Sequence, residues 1–109
     1  MSTAIDRTLA ALADPDRRRA VELLGRKARA AGELAKALGL AAPAMSRHLR
    51  TLKDAGLVDD AHPAFDARVR IYSLKAGAME DLMDWLAKTE RMWGEQLAAF
   101  KALVEKKGS

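Results

Sequence analysis

The fold of this chain is decided by residues 32–58, GELAKALGLAAPAMSRHLRTLKDAGLV. Two runs of apolar residues there have helical spacing, Leu34, Ala35 and Leu38 in the first, and Met45, Leu49 and Leu52 in the second. Gly39 separates the runs, and Pro43 lies near the start of the second, where proline is favoured. The stretch therefore predicts a helix-turn-helix, with helices at about 31–38 and 42–55.

The second of these helices has a face that suits a polyanion. Opposite its apolar residues it carries polar and basic side chains, Ser46, Arg47, His48, Arg50 and Lys53. No Asp or Glu occurs from Gly39 to Lys53, although charged residues make up 31% of the chain. A turn of about three to four residues sets the two helices at a steep angle, so the second can enter a DNA major groove. An ordinary solvated basic surface is the alternative, but the turn, the period and the missing carboxylates together favour DNA.

The composition fits a single cytoplasmic domain. At 109 residues the chain is short for one stable core, so dimerisation would help. It has no signal-peptide pattern and no apolar run of membrane-spanning length, so we expect a cytoplasmic protein with no membrane partner. The absence of cysteine excludes disulfides and thiolate metal sites. Residues 1–77 hold 14 Lys or Arg against 9 Asp or Glu, whereas residues 78–109 hold 5 against 6, so the basic charge belongs to the part with the helix-turn-helix.

A helix is predicted immediately before this motif. Asp14-Pro15 begins it, because an aspartate caps free amides and proline suits the first turn, and it runs to about Gly25. The three arginines at 17–19 are predicted to form a solvated surface, with contact to phosphate as the other interpretation. Residues 26–31 are predicted to be a connection.

After residue 56 the pattern changes to one typical of strands. Strand-forming residues, Leu57, Val58, Val69, Ile71 and Tyr72, flank the stretch AHPAFDA at 61–67. They predict a hairpin over 57–74 with a long loop, which is a wing. Arg68 and Arg70 are two residues apart, so on a strand they would project from the same face and reach phosphate or the minor groove. A strand edge guarded by charge is the alternative.

A long helix is predicted at 78–106. Its apolar residues have heptad-like spacing, Met79, Leu82, Leu86, Trp93, Leu97, Phe100 and Val104. A first helix, at 4–13, carries a shorter stripe, Ile5, Leu9 and Leu12. One small domain is not expected to cover both stripes, so we expect them to meet their counterparts in a second copy and form a two-fold dimer. An effector pocket lined by Trp85 and Trp93 is the alternative.

Three stretches make the chain resemble the ArsR-type winged-helix repressors of bacteria. ALADPDRRRAVELL at 11–24 is similar to the start of that family's second helix, residues 32–58 to its helix-turn-helix, and VRIYSL at 69–74 to the return strand of its wing. The combination of SRHL at 46–49 with AGLV at 55–58 is the most specific part. The predicted elements and the resemblance together give a mainly α fold with a small β-hairpin. It is a single winged helix-turn-helix domain over 1–109, in the order α-α-α-α-β-β-α, which dimerises through its first and last helices.

The resemblance implies a homodimer that binds an imperfect palindrome in double-stranded DNA near a promoter. Such a protein blocks transcription, often of its own gene, and releases the DNA when a signal arrives. The sequence leaves the signal open between a small molecule, a partner protein and nothing beyond a change in protein concentration. The residues expected to contact DNA are Ala42, Pro43, Ala44, Ser46, Arg47, His48, Arg50, Lys53, Arg68 and Arg70.

Two departures from the family pattern change these expectations. Metal-sensing members use cysteines in the third helix or Asp and His pairs in the last one, but here the third helix reads GELAKAL and the last has no histidine. His48 and His62 are the only histidines, and neither has a second strong ligand at helical spacing, so we expect no metal and no cofactor. Ala42 and Ala44 stand where relatives often have polar residues. Alanine contacts a thymine methyl but makes no side-chain hydrogen bond, so base reading falls on other residues of the helix, Ser46, Arg47 and His48.

These observations predict a sequence-specific transcriptional regulator, a homodimeric repressor of a palindromic operator. An enzyme is not expected, because the chain has no cysteine, glycine-rich phosphate loop, Ser/His/Asp pattern or metal-ligand cluster. An architectural DNA binder of low specificity is one alternative, favoured by Ala42 and Ala44. A winged-helix adaptor for protein interaction is the other, although an adaptor has no need of a carboxylate-free face.

Overall fold

A computed structural model describes residues 3–66 and 68–107, and Met1, Ser2, Ala67, Gly108 and Ser109 lie outside the described residues. The elements in chain order are α1 (Ala4–Ala11), α2 (Pro15–Arg26), β1 (Arg29–Ala30), α3 (Ala31–Leu38), α4 (Ala42–Asp54), β2 (Val58–Ala61), β3 (Ile71–Leu74) and α5 (Glu80–Lys107). The chain divides into two compact units, one up to Met79 and one from Glu80. The predicted class, mainly α with a small β-hairpin, is confirmed, and a third strand joins the hairpin to form a small antiparallel sheet.

Side-chain caps explain where the first two helices begin. At α1 the amide N–H of Asp6 donates to Thr3 Oγ1 and that of Thr3 donates to Asp6 Oδ2, both at 3.1 Å, which is a capping box. At α2 the amide N–H of Asp16 donates to Asp14 Oδ1 at 2.8 Å, and the residue after Asp14 is a proline in the first turn. The predicted start at Asp14-Pro15 is confirmed.

Two glycines in left-handed conformations end the helices of the helix-turn-helix. Gly39 has φ of +68° after α3, and Gly56 has φ of +78° after α4. Beyond Gly56 the amide N–H of Leu57 donates to the carbonyl of Leu52 at 3.0 Å, the bond of a Schellman cap. Because other residues rarely adopt this conformation, the glycines fix the ends of both helices. The predicted turn at Gly39 is confirmed.

The described part of the first unit contains three strands, where the sequence predicted two. β3 is central in the order β1-β3-β2, and both of its neighbours run antiparallel to it. The pairing with β2 runs from Val58 opposite Leu74 to Ala61 opposite Ile71. β1 falls within the stretch predicted to be a connection. A strand of two residues has no readable period in the sequence, and it forms here on the open edge of β3.

The loop of the hairpin holds both wing arginines. β3 begins only at Ile71, so Arg68 and Arg70 precede it, and the prediction that they project from one strand face is wrong. The reason lies in the turns of this loop. Asp66 Oδ1 accepts from the amide N–H of Arg68 at 2.9 Å, and the amide N–H of Asp66 donates to the carbonyl of Pro63 at 3.2 Å. These bonds, and the missing N–H of the proline, take the chain out of the strand ladder.

The core of the first unit is built around α3 and α4. Its largest fully buried side chains come from α3, α4 and the start of the wing, namely Leu34, Met45, Leu49, Leu52, Leu57 and Val58. Both apolar runs predicted from the sequence therefore face the core. Because α4 is held along its apolar side, its opposite side is fixed towards solvent.

The described part of the second unit is one helix, α5, of 28 residues, about 42 Å long at the usual rise per residue. It begins two residues later than predicted, with Glu80 and Asp81 in its first turn, where carboxylates favour the helix dipole. Most of its large apolar side chains are exposed, namely Met83, Trp85, Leu86, Met92, Trp93, Leu97, Phe100, Leu103 and Val104. Across residues 3–66 and 68–107, no helix combines the length and the apolar character needed to span a membrane.

Candidate nucleic-acid interface

The exposed side of α4 presents two unpaired arginines. Arg47 and Arg50 lie three residues apart, so they are neighbours on one side of the helix, and both are exposed. Neither side chain makes a hydrogen bond or ion pair with any residue that the structure describes. Pro43, one turn before Arg47, is exposed as well. Guanidinium groups free in this way can donate to base edges or to phosphate oxygens.

The other predicted residues of α4 lie towards its two edges. Ser46 and Lys53 are on the edge near the wing, and both are exposed. His48 is half-buried on the opposite edge, where it meets α2, and Ala44 is half-buried as well. Ala42 is exposed in the first turn. The structure thus collects all eight predicted residues of α4 on one helix, with the two arginines between its edges.

A single carboxylate joins α4 to the wing. Asp60 of β2, whose side chain is 11% exposed, binds a different cation with each oxygen. Lys53 Nζ lies 2.6 Å from Oδ1, and Arg70 Nε lies 3.1 Å from Oδ2. The hydrogen bond from Lys53 is the main reason that the pKa of Asp60 is lowered below 3.8; burial opposes it, and Arg70 adds a smaller attraction. We call these three residues the Asp60 clamp, an arrangement that was not predicted.

A cavity of about 370 Å³, the wing-side cavity, lies next to the clamp. Its walls come from α4, the end of the hairpin loop and β3, namely Ser46, Leu49, Arg50, Lys53, Asp54, Arg70 and Tyr72. Three of these side chains carry positive charge. The cavity therefore gathers Arg50 with both cations of the clamp.

The second wing arginine is tied within its own loop. Arg68 Nε lies 3.3 Å from Asp66 Oδ1, and the Arg68 side chain is 93% exposed. His62, at the start of the loop, places Nδ1 3.0 Å from the carbonyl oxygen of Val69. The exposed pair at Arg68 is held only weakly, since a surface ion pair of this kind contributes little.

The arginines of α2 hold the end of α1. Arg17 Nε donates to the carbonyl of Ala11, and Arg18 Nη1 donates to that of Leu12 at 2.7 Å. These bonds satisfy carbonyls that a helix end leaves without partners. Arg17 Nη1 also lies 3.4 Å from His48 Nδ1. The prediction of a solvated surface is therefore wrong for Arg17, which is half-buried, whereas Arg18 is exposed.

Asp14, the N-cap of α2, and Asp16 in its first turn lie beside His48, and one ligand atom of each is within 4.8 Å of the others. This grouping was not predicted because the residues belong to different elements. Burial raises the pKa of the Asp14 carboxyl, but backbone N–H donors and nearby charges outweigh it and leave the pKa below 3.8. Arg17 Nη1 lies 4.0 Å from Asp14 Oδ2 and opposes a metal cation there. Arg17 therefore contacts both Asp14 and His48 in this half-buried cluster.

The residues predicted for a dimer surface differ in exposure. In the first unit Leu9 is 44% exposed, whereas Ile5, Leu12 and Met79 are half-buried. In the second unit Leu82 is half-buried, and the remaining members are 50–65% exposed, namely Leu86, Trp93, Leu97 and Phe100. A stripe of large exposed apolar side chains typically marks an interaction surface.

Comparison with known proteins identifies one matching family profile and similar sequences that agree with it. The profile of bacterial regulatory proteins of the arsR family matches residues 14–60, from the cap of α2 into β2. The HTH-type transcriptional regulator Rv2034 of Mycobacterium tuberculosis is 40% identical over 103 residues, covering 94% of this chain and 91% of the relative. The transcriptional repressor SdpR of Bacillus subtilis is 30% identical over 76 residues, covering 70% of this chain and 81% of the relative.

Solved structures show the same fold. An ArsR-like transcriptional regulator from Rhodococcus sp. RHA1 matches with a TM-score of 0.75 at 27% identity, covering 92% of each chain. The ArsR family transcriptional regulator RHA00566 matches with a TM-score of 0.74 at 28% identity, covering 84% of this chain and 98% of that one. The winged helix-turn-helix predicted from the sequence is therefore confirmed.

Proposed function

Because the chain belongs to the ArsR family of bacterial regulatory proteins, we propose that it is a homodimeric repressor of a palindromic operator in double-stranded DNA. It is a DNA-binding transcriptional regulator, and the regulators to which it is related are not enzymes, as predicted. The similarity to the repressor SdpR supports repression as the outcome of binding. We expect the protein to act in the cytoplasm, because bacterial promoters lie there.

One observation carries this proposal, the exposed side of α4 with two unpaired arginines. We propose that α4 is the recognition helix and that Arg47 donates to the edge of a guanine. Ser46 adds a second polar contact, and Ala42 or Ala44 can meet a thymine methyl. His48 lies at the edge towards α2, so we assign it a smaller share of base reading.

The remaining cations are proposed to bind phosphates. Arg50 and Lys53 from α4 and Arg68 and Arg70 from the wing give four per chain and eight in a dimer. Eight such contacts predict a slope of roughly −7 when the logarithm of the binding constant is plotted against that of the salt concentration. Lys53, Arg68 and Arg70 already form ion pairs within the chain, so each neutralises less of a phosphate charge. The measured slope should therefore be no steeper than this value.

Two-fold symmetry is proposed to come from the apolar stripes. Trp93, Leu97 and Phe100 of α5 are more than half exposed, and burying them against the same residues of a second copy would remove a large apolar area from water. The stripe of α1, with Leu9 exposed, is assigned to the same interface. Two recognition helices would then enter successive major grooves about 34 to 36 Å apart.

Selection of binding sites from a random DNA pool tests the proposal. The purified protein is incubated with the pool at moderate salt, and its mass in solution is measured in parallel. Enrichment of a palindrome by a protein of twice the chain mass supports the proposal and provides an operator. Bulk binding that depends on salt, without enrichment, would indicate an architectural DNA binder instead. Absence of DNA binding would leave an adaptor for protein interaction.

A further inference from the structure

The charges around the wing-side cavity match a singly charged anion. Arg50, Lys53 and Arg70 contribute three positive charges to its walls. Asp54 also lines the cavity, and Asp60 binds two of the three cations. One net positive charge is left at neutral pH. A phosphodiester carries a single negative charge, whereas a free phosphate monoester carries about −1.5 to −2.

Tyr72 adds an uncharged hydrogen-bond donor to the wing-side cavity. The residue is 9% exposed and lines the cavity, yet its side chain makes no hydrogen bond with any described residue. The hydroxyl oxygen of Tyr72 is not among the buried polar atoms that lack a partner, so it is open to solvent and available as a donor. A group bound in the cavity can therefore accept a hydrogen bond from the Tyr72 hydroxyl.

We propose that the wing-side cavity binds one phosphate group, a diester of the DNA backbone. Arg50 has no partner among the described residues and donates directly, whereas Lys53 and Arg70 donate while they stay shared with Asp60. Tyr72 donates its hydroxyl. This inference rests on the proposed function, since it assigns the cavity to the DNA that the regulator binds.

Asp60 acts in this site as a positioning residue. Its two oxygens hold a cation of α4 and a cation of the wing, so the two cations stand in a fixed relation before DNA arrives. Its negative charge also weakens the attraction for any anion. Asp60 therefore limits binding to DNA of arbitrary sequence.

Tyr72→Phe tests the phosphate contact, because it removes only a hydroxyl from a buried ring. We expect binding to become weaker by about tenfold on the selected operator and on a random duplex alike, since the variant cannot donate a hydrogen bond to the charged group. Fluorescence anisotropy with labelled duplexes measures both constants, and circular dichroism checks that the fold is retained. Wild-type affinity in Tyr72→Phe would overturn the proposal.

Asp60→Asn tests the role of the clamp, with Asp59→Asn as its matched control. Both variants remove one negative charge from β2, but Asp59 lies opposite Ser73 and Asp60 opposite Tyr72, so their side chains are on different faces of the sheet. We expect Asp60→Asn to bind random DNA more tightly and to steepen the salt slope by about one per chain. Asp59→Asn is expected to change the slope less. Equal effects of the two variants would show that only overall charge matters and would overturn the assignment.

Duplexes with a neutral methylphosphonate at one backbone position per half-site identify the source of the phosphate. At one of these positions the neutral group should weaken DNA binding by the wild-type protein. Binding by Tyr72→Phe should weaken less, because this variant already lacks the hydroxyl that donates there. A parallel titration with inorganic phosphate follows the melting temperature of the protein. The assignment to DNA would be overturned by two results together. Inorganic phosphate would stabilise the wild-type protein but not Tyr72→Phe, and both proteins would bind DNA equally well.

The two proposals fail in different ways. If the wild-type protein binds DNA and Tyr72→Phe binds it equally well, the phosphate site is wrong and the regulator stands. If the wild-type protein binds no DNA, both are wrong, and inorganic phosphate then shows whether the cavity holds a free anion. Arg70→Gln gives a second check on the clamp. The tighter binding of Asp60→Asn to random DNA should largely disappear when both substitutions are combined.

Discussion

Arg17 Nη1 of α2 lies 3.4 Å from Nδ1 of His48 on α4. The same guanidinium donates from Nε to the carbonyl of Ala11 at the end of α1. Three helices thus meet at one arginine, and His48 is held half-buried at the α2 edge of the proposed recognition helix. Base reading is therefore expected to depend more on Arg47, which is exposed and has no partner among the described residues.

Arg47→Ala should weaken binding to the operator by about 1 to 3 kcal/mol for each guanine that the arginine reads, with a smaller effect on random DNA. Titration of both duplexes with the same protein preparation measures the difference. Arg50→Ala is the matched control, expected to weaken both equally and to flatten the salt slope by about one per chain. His48→Ala should cost less operator affinity than Arg47→Ala. Equal weakening on the two duplexes in Arg47→Ala would contradict its role in reading bases.

Trp93→Ala should weaken the proposed dimer by about 3 to 5 kcal/mol, because the substitution removes a large aromatic side chain from the seam. Trp85→Ala is the control, since Trp85 is the same residue type on α5 but lies outside the heptad-like stripe. Sedimentation over a range of protein concentrations measures the dissociation constant of each variant. The prediction fails if Trp93→Ala stays dimeric at nanomolar concentration, or if Trp85→Ala has the larger effect.

The helix-turn-helix could be predicted because its signals are local. The apolar runs contact the core at the predicted spacing, and Gly39 has the positive φ that the turn requires. The third strand was not predicted, because Arg29 and Ala30 form it only where β3 offers an edge. The place of Arg68 and Arg70 was missed for a related reason, since side-chain bonds of Asp66 turn the loop before the strand can begin.

The residues of the candidate site were predicted from the face of α4, but their partners were not. Lys53 lies in α4, Asp60 in β2 and Arg70 in the hairpin loop, so no single helical or strand period relates the three. Which face Asp60 occupies depends on the register of β2 with β3, and a shift of one residue would reverse it. Tertiary packing therefore decided the electrostatics of the site.

Gly39→Ala should destabilise the fold by about 1 to 2 kcal/mol, because alanine is strained at a φ of +68°. The added methyl group meets nothing within 4 Å, so the expected cost comes from the backbone alone. Gly32→Ala is the control: it also has open space but lies near the start of α3 without a positive φ, and alanine favours helix. Urea unfolding of both variants measures the change. Equal stability of the two would contradict this account of the turn.

Acid should release the Asp60 clamp. The hydrogen bond from Lys53, more than the attraction of Arg70, holds the pKa of Asp60 below 3.8 against the effect of burial. A carboxyl with a lowered pKa stabilises the fold above its unfolded value, and this stabilisation is lost as pH falls through the folded pKa. The melting temperatures of wild type and Asp60→Asn should therefore differ by a constant amount above about pH 5 and converge well below pH 3.8. Asp59→Asn is again the control, because Asp59 forms no ion pair with any described residue. A difference between wild type and Asp60→Asn that persists unchanged in strong acid would show that the clamp adds no pH-dependent stability.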